Sequence, residues 1–194
     1  MAKPKLDRKT LLINSLSVFK AKGYTATSMT DLAKASGLLK GSIYHYIESK
    51  EQLMLEVLNS LMDHYVNKIF IVAFDEELDP YDRLLLLSKK AEDVYIHEDA
   101  GNFFANIGLE TKNLKLGFNE VIVDFFTKWV DTIQHIYTYV LPDAETRVKA
   151  ESVVAQIEGA VMLMKVMDDV GHLRRVLAGI LEEYKELEQE NAIK

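Results

Sequence analysis

The sequence predicts an all-α fold: a three-helix N-terminal head followed by a helical bundle, about nine helices in all. Three observations predict it. The 194 residues hold only 3 prolines and 9 glycines, too little punctuation for many short strands. Apolar residues recur at three- and four-residue spacing, and alternating apolar/polar runs are few. Hydrophobic residues make up 48% of the chain, enough for a sizeable core in one domain or two small ones.

The first helix is expected from Asp7 to Lys22, burying Leu11, Leu12, Ser15, Leu16, Val18 and Phe19, with Gly23 as a left-handed stop. After a polar turn, Ser28 is an N-cap with Asp31 three residues on, a variant of the capping box, and opens a short helix from Met29 to Ser36. Gly37 ends it, and a third short helix spans Leu39 to Tyr46. Ser49 caps a long fourth helix, Lys50 to Val72, with Leu53, Val57, Leu61, Tyr65 and Ile69 along one face. The acidic stretch from Asp75 to Pro80 is a loop. Further helices follow at Pro80–His97, Asn102–Asn113, Gly117–Leu141, Asp143–Met167 and Val170–Glu188, and the polar tail to Lys194 frays. The domain boundary is set at residue 50, with residues 1–50 as the head and 51–194 as the bundle.

There are no cysteines, which removes disulfides, thiolate metal sites and Cys nucleophiles and suits a reducing cytosol. The N-terminus has no apolar stretch of signal-peptide type, and the longest apolar run, Ile69 to Phe74, is far short of the roughly 20 residues of a spanning helix. A cytoplasmic, membrane-free protein is expected. Net charge is −7, unfavourable for nucleic acid taken alone. Its distribution is not. Lys3, Lys5, Arg8, Lys9, Lys20, Lys22, Lys34, Lys40 and Lys50 stand against Asp7, Asp31 and Glu48, nine against three, so residues 1–50 carry +6. The remaining 14 basic and 27 acidic residues give −13. A basic head on an acidic body suits a molecule that presents one end to phosphate.

The spacing inside the head sharpens this. Ala33 lies four residues before Gly37, and Ile43 six after it. A small residue is needed where two short helices cross, glycine where the turn takes a positive φ, and a buried aliphatic under the next helix. Leu32, Leu38 and Ile43 pack beneath such a helix-turn-helix, whose recognition helix enters the major groove. Residue by residue, Gly23-Tyr24-Thr25-Ala26-Thr27, Leu32-Ala33-Lys34-Ala35-Ser36-Gly37 and Gly41-Ser42-Ile43-Tyr44-His45-Tyr46-Ile47-Glu48-Ser49-Lys50-Glu51-Gln52-Leu53 resemble the TetR family of transcriptional repressors over about residues 8–60. Two positions depart from the family pattern. Leu39 stands where Ser or Thr is usual, which removes an N-cap hydroxyl worth about 1 kcal/mol. Ile47 replaces a phenylalanine, a change of core packing.

The resemblance and the side-chain chemistry together nominate the DNA-binding residues. Lys50 at a helix start is expected on phosphate. Tyr44 and Tyr46 offer hydroxyls to phosphate and ring faces to sugar or thymine methyl. Ser28 and Thr30 open the second helix, where backbone contacts form. Lys40, Ser42 and His45 are candidates for base edges. The alternatives are a core tyrosine for Tyr44, a solvated surface residue for His45 and an ordinary helix start for Lys50.

The resemblance also implies a homodimer reading a pseudo-palindromic operator and released by a small-molecule effector. The last two helices carry Val153, Ile157, Ala160 and Met164, then Leu173, Leu177, Ile180 and Leu181, and these residues are expected at the dimer interface. An intramolecular core is the alternative. Tyr95, Phe103, Phe104, Phe118, Phe125, Trp129, Gln156 and Met162, with His97 nearby, are expected around the effector pocket, and plain core is the competing reading. Two other function classes compete. An enzyme would need paired histidines, a nucleophile elbow or a glycine-rich loop, and none occurs. A helical adaptor that binds protein through its acidic body would leave the basic head idle. No cofactor is expected.

Overall fold

The computed structural model describes residues 6–96 and 102–193, the side chain of Ala192 apart. Lys3, Lys5, His97 and Lys194 lie outside the described residues. The described residues form eight α-helices: α1 (Arg8–Lys22), α2 (Met29–Ala35), α3 (Lys50–Lys68), α4 (Pro80–Ile96), α5 (Phe103–Thr111), α6 (Asn119–Tyr137), α7 (Asp143–Met167) and α8 (Gly171–Ile193). Two 3₁₀ turns, Ser42–His45 and Phe70–Phe74, complete them, and no strand occurs among the described residues. None of these helices is long and apolar enough to cross a membrane.

The expected third helix, Leu39–Tyr46, is corrected to the single turn Ser42–His45, closed by Tyr46 N–H on Ile43 O at 2.9 Å. No side chain caps that turn, and the β-branched and aromatic run Ile43 to Ile47 is poor helix material. The fourth helix likewise tightens where Ile69, Ile71 and Val72 crowd its end, so α3 stops at Lys68 and a 3₁₀ turn carries on. The α6 helix is shorter at both ends than expected. It begins after Gly117, whose amide is held by Glu51 at 2.7 Å, and it ends before Pro142. The tail is helical to Ile193 rather than frayed, and Asn191 donates to Val140 O at 2.5 Å. The expected bounds of α7 stand, with Asp168 left-handed at φ 52° as its stop.

The chain folds as two compact units. One takes the chain through Asp63 together with Phe103–Phe125, and the other takes His64–Asn102 with the chain from Phe126 onward. The head is therefore larger than residues 1–50, because later residues complete it. Phe118 is fully buried and meets the Tyr24 ring edge-on at 5.0 Å, and Phe104 stacks on Phe125 at 3.9 Å. Leu11, Phe19, Leu32, Ile43, Leu53 and Leu58 fill the rest of that core. Arg8 ties α1 to Glu56 of α3 and to the Tyr46 carbonyl. In the second unit α8 packs against α7 and α4 around Val153, Val161, Leu173, Ile180 and Tyr184.

Candidate nucleic-acid interface and ligand cavity

The start of α2 is built by a reciprocal cap. Ser28 Oγ accepts from Asp31 N–H at 3.2 Å, and Asp31 accepts from Ser28 N–H at 3.0 Å. Lys22 donates to the same carboxylate at 2.6 Å. The bonds from Lys22 and then Ser28 hold the Asp31 carboxyl well below the usual carboxylate range. Ala33 is fully buried under the following turn, whose Leu38 N–H returns to Ala33 O at 2.8 Å. Gly37 takes φ 67° with open space where a Cβ would sit, so backbone conformation rather than crowding calls for glycine.

Around this turn the nominated side chains separate by exposure. Ser28, Thr30, Lys40, Tyr44 and His45 are exposed, Ser42 and Tyr46 are half-buried, and Ile43 and Ile47 face the core. Tyr44, at 52% exposure, is a surface ring and not a core tyrosine.

Lys50 sits differently from the expectation. Its ammonium donates to Tyr24 O and Thr27 O, both at 2.8 Å, and lies 4.3 Å from the centre of the Tyr24 ring. With its protons committed to the loop before α2, this side chain orders the head instead of reaching outward. Burial lowers its pKa, and the nearby Glu110 charge opposes the shift.

Glu110, from α5, completes the clamp and was not singled out from the sequence. Its carboxylate accepts from Tyr24 N–H at 2.9 Å and Thr25 N–H at 2.6 Å. Burial works to raise this carboxyl, but hydrogen bonds from Thr25 and Tyr24 and the Lys50 charge outweigh it and leave the pKa below its usual value. Gly23 has φ 75°, a conformation that calls for glycine, and a Cβ there would meet Glu110 Oε2 at 2.6 Å and push that carboxylate aside.

The eight residues expected around a pocket divide. Tyr95 and Trp129 line a cavity inside the second unit, with Phe70, Leu87, Ser88, Ile157 and Leu177 among its other walls. Its free volume is about 30 Å³. Phe103, Phe104, Phe118 and Phe125 instead belong to the core of the first unit. Gln156 and Met162 are exposed on α7. Phe103 and Phe104 carry the right chemistry but fall on α5, which folds with the head.

The residues expected at a dimer interface are also redistributed. Val153, Ile157, Ala160, Met164, Leu173, Leu177 and Ile180 are buried within the second unit itself, and Leu181 is half-buried. Their apolar spacing serves the contact of α7 with α8 and the cavity wall. The exposed apolar residues of α7 are others, Val148, Met162, Leu163, Val166 and Met167, and exposed Val170 follows in the turn before α8. Among the described residues no three His, Asp or Glu side chains gather as a metal site would require.

Comparison with known proteins agrees with this geometry. Residues 11–57 match the model of bacterial regulatory proteins of the tetR family, and residues 87–178 match that of the LmrA/YxaF-like transcriptional regulator C-terminal domain. The HTH-type transcriptional repressor KstR2 of Mycolicibacterium smegmatis is 39% identical over 62 residues, 32% of this chain and 30% of that protein. The chain thus spans about a third of the length of the first curated relatives it matches. Among solved structures, a TetR transcriptional regulator from Legionella pneumophila superposes with a TM-score of 0.81 at 16% identity, covering 94% of this chain and 98% of that one. FadR from Bacillus subtilis in complex with stearoyl-CoA superposes at 0.70 with 17% identity, covering 92% and 97%.

Proposed function

The chain belongs to the TetR family of bacterial regulatory proteins, and on that premise we propose that it is a cytoplasmic, homodimeric DNA-binding repressor that leaves its operator when a small molecule enters the cavity of the second unit. One observation carries the DNA-binding part. The cap and turn that build the head leave Lys40, Tyr44 and His45 uncovered beside Ser28 and Thr30, while Ile43 and Ile47 anchor the segment from below. This is a basic, hydrogen-bonding surface on a fixed support, the arrangement that groove recognition requires. Lys50 acts from behind that surface, holding the loop into α2.

A single short recognition segment offers few base contacts, so useful affinity calls for two copies. The exposed row Met162, Leu163, Val166, Met167 and Val170 is the reading's dimer face, with exposed Ala155 and Ala178 permitting close approach. The effector part draws on the cavity lined by Tyr95 and Trp129 and on FadR, whose structure holds stearoyl-CoA.

Selection of bound sequences from random duplex DNA, repeated at two salt concentrations, tests the proposal. A pseudo-palindrome is expected, with affinity falling steeply as salt rises. Weak binding with no enriched sequence would overturn it.

A further inference from the structure

The walls of the cavity narrow the chemistry of what it accepts, an inference that rests on the effector reading above. Phe70, Leu87, Trp129 and Ile157 are typical of its lining, and none of its lining residues is a lysine, arginine or histidine. Polar groups on its walls are few, those of Tyr65, Ser88 and Trp129 and the hydroxyl of buried Tyr95. That hydroxyl donates to Glu158 Oε1 at 3.5 Å, the long limit of a hydrogen bond. It is thus held loosely and available to a better partner.

The electrostatics exclude one ligand class. Burial pushes the Glu158 carboxyl up to about 7, with the Tyr95 bond and the Lys165 charge only partly opposing. A site that already resists one negative charge has nothing on its walls to neutralise a second. An ammonium fares little better. Glu158 stands behind Tyr95 and outside the lining, and near neutral pH it is partly protonated.

We propose that the cavity takes an uncharged, largely apolar small molecule with one hydrogen-bonding group, met by the Tyr95 hydroxyl, and that it rejects anions of the same shape.

Trp129 is the single tryptophan of the chain and lines the cavity, so its emission reports entry directly. The full chain is titrated at pH 7 with 1-decanol, decanoate and decylammonium, each below its micelle concentration, and DNA release is followed in parallel. Saturable change of Trp129 emission with decanol, at least tenfold weaker with either ion, is the expected result. Tyr95→Phe is expected to weaken decanol about fivefold and to leave decanoate unchanged. Equal or tighter binding of decanoate or decylammonium would overturn the ligand class. Silence from all three probes in a chain that still binds its operator would overturn the cavity as a ligand site and spare the DNA-binding reading. Decanol that perturbs Trp129 yet leaves DNA bound would support the ligand class and sink release by effector.

Discussion

Removing the Glu110 carboxylate strikes the loop on which the DNA-facing surface depends. In the native chain it takes the consecutive amides of Tyr24 and Thr25 at 2.9 and 2.6 Å and lies across from the Lys50 ammonium, itself bonded to Tyr24 O and Thr27 O. A hydrogen bond to a charged group contributes about 1.5–3 kcal/mol when well buried. Glu110 is exposed, so water takes over part of its role, and the pair is worth about 1–2 kcal/mol together. Glu110→Ala is therefore expected to lower the melting temperature by about 2–8 °C. The same loss, borne by the loop entering the Ser28 cap, corresponds to about 5–30-fold weaker operator binding. Glu110→Gln keeps one acceptor and falls between. The sign with pH follows from the lowered pKa. The contribution is fully present above the ordinary value of 4.5 and is lost as pH falls through the lower folded value, so mutant and native chains converge in acid. Circular-dichroism melts and fluorescence anisotropy on the selected operator read both quantities. A Glu110→Ala chain that melts and binds like the native one would refute the clamp, and one that melts early but binds DNA unchanged would confine it to stability.

Three further outcomes are expected. Lys40→Ala should weaken operator binding about 5–10-fold, and a salt slope reduced by about one in the same titration identifies a phosphate contact, whereas an unchanged slope with relaxed sequence preference identifies a base contact. For Glu158, a folded pKa of about 7 against the ordinary 4.5 means that stability falls as pH rises between those values, by up to about 3 kcal/mol, and Glu158→Gln should flatten the dependence of melting temperature on pH across that window. Val166→Glu places a charge at the most exposed valine of α7 and should yield monomers in sedimentation with the melting temperature changed little, whereas Val153→Glu, in the buried core, should unfold the second unit.

What the sequence revealed follows the range of the interactions. The Ser28–Asp31 cap, the Gly37 turn and the extent of α7 are set by residues a few positions apart, and each stood in the chain as a pattern. Glu110 reaches a loop 85 and 86 residues away, and no local pattern marks one glutamate on α5 for that task. Lys50 has the same cause in reverse: its position at a helix start suggests an outward cation, but only the folded loop brings two carbonyls to 2.8 Å. The α7 and α8 residues show a different limit. Val153 and Val166 have identical side chains and both sit in apolar rows, yet one is fully buried and the other 79% exposed. Helical periodicity marks apolar faces, and two faces on one helix leave open which meets its own chain and which is free for a partner.

The size of the cavity bears on how an effector would act. Its free volume of about 30 Å³ is an order of magnitude below the roughly 300–1,000 Å³ of ordinary ligand sites. An effector must therefore make its room by repacking Leu87, Tyr95, Trp129 and their neighbours, and it binds only by favouring the expanded packing over the closed one. That preference is the free energy available for moving the protein off DNA, and coupling of about 1–3 kcal/mol is typical. Filling the space in advance should uncouple the two events. Ala91, half-buried on α4, lines the cavity, and Ala91→Val adds two methyl groups there at an overpacking cost of about 1–3 kcal/mol. The variant is expected to bind operator with native affinity, to lose the Trp129 response to decanol and to stay on DNA at decanol concentrations that release the native chain. Native-like release from Ala91→Val would mean that the effector acts elsewhere, because a ligand excluded from the cavity cannot draw its leverage from opening it.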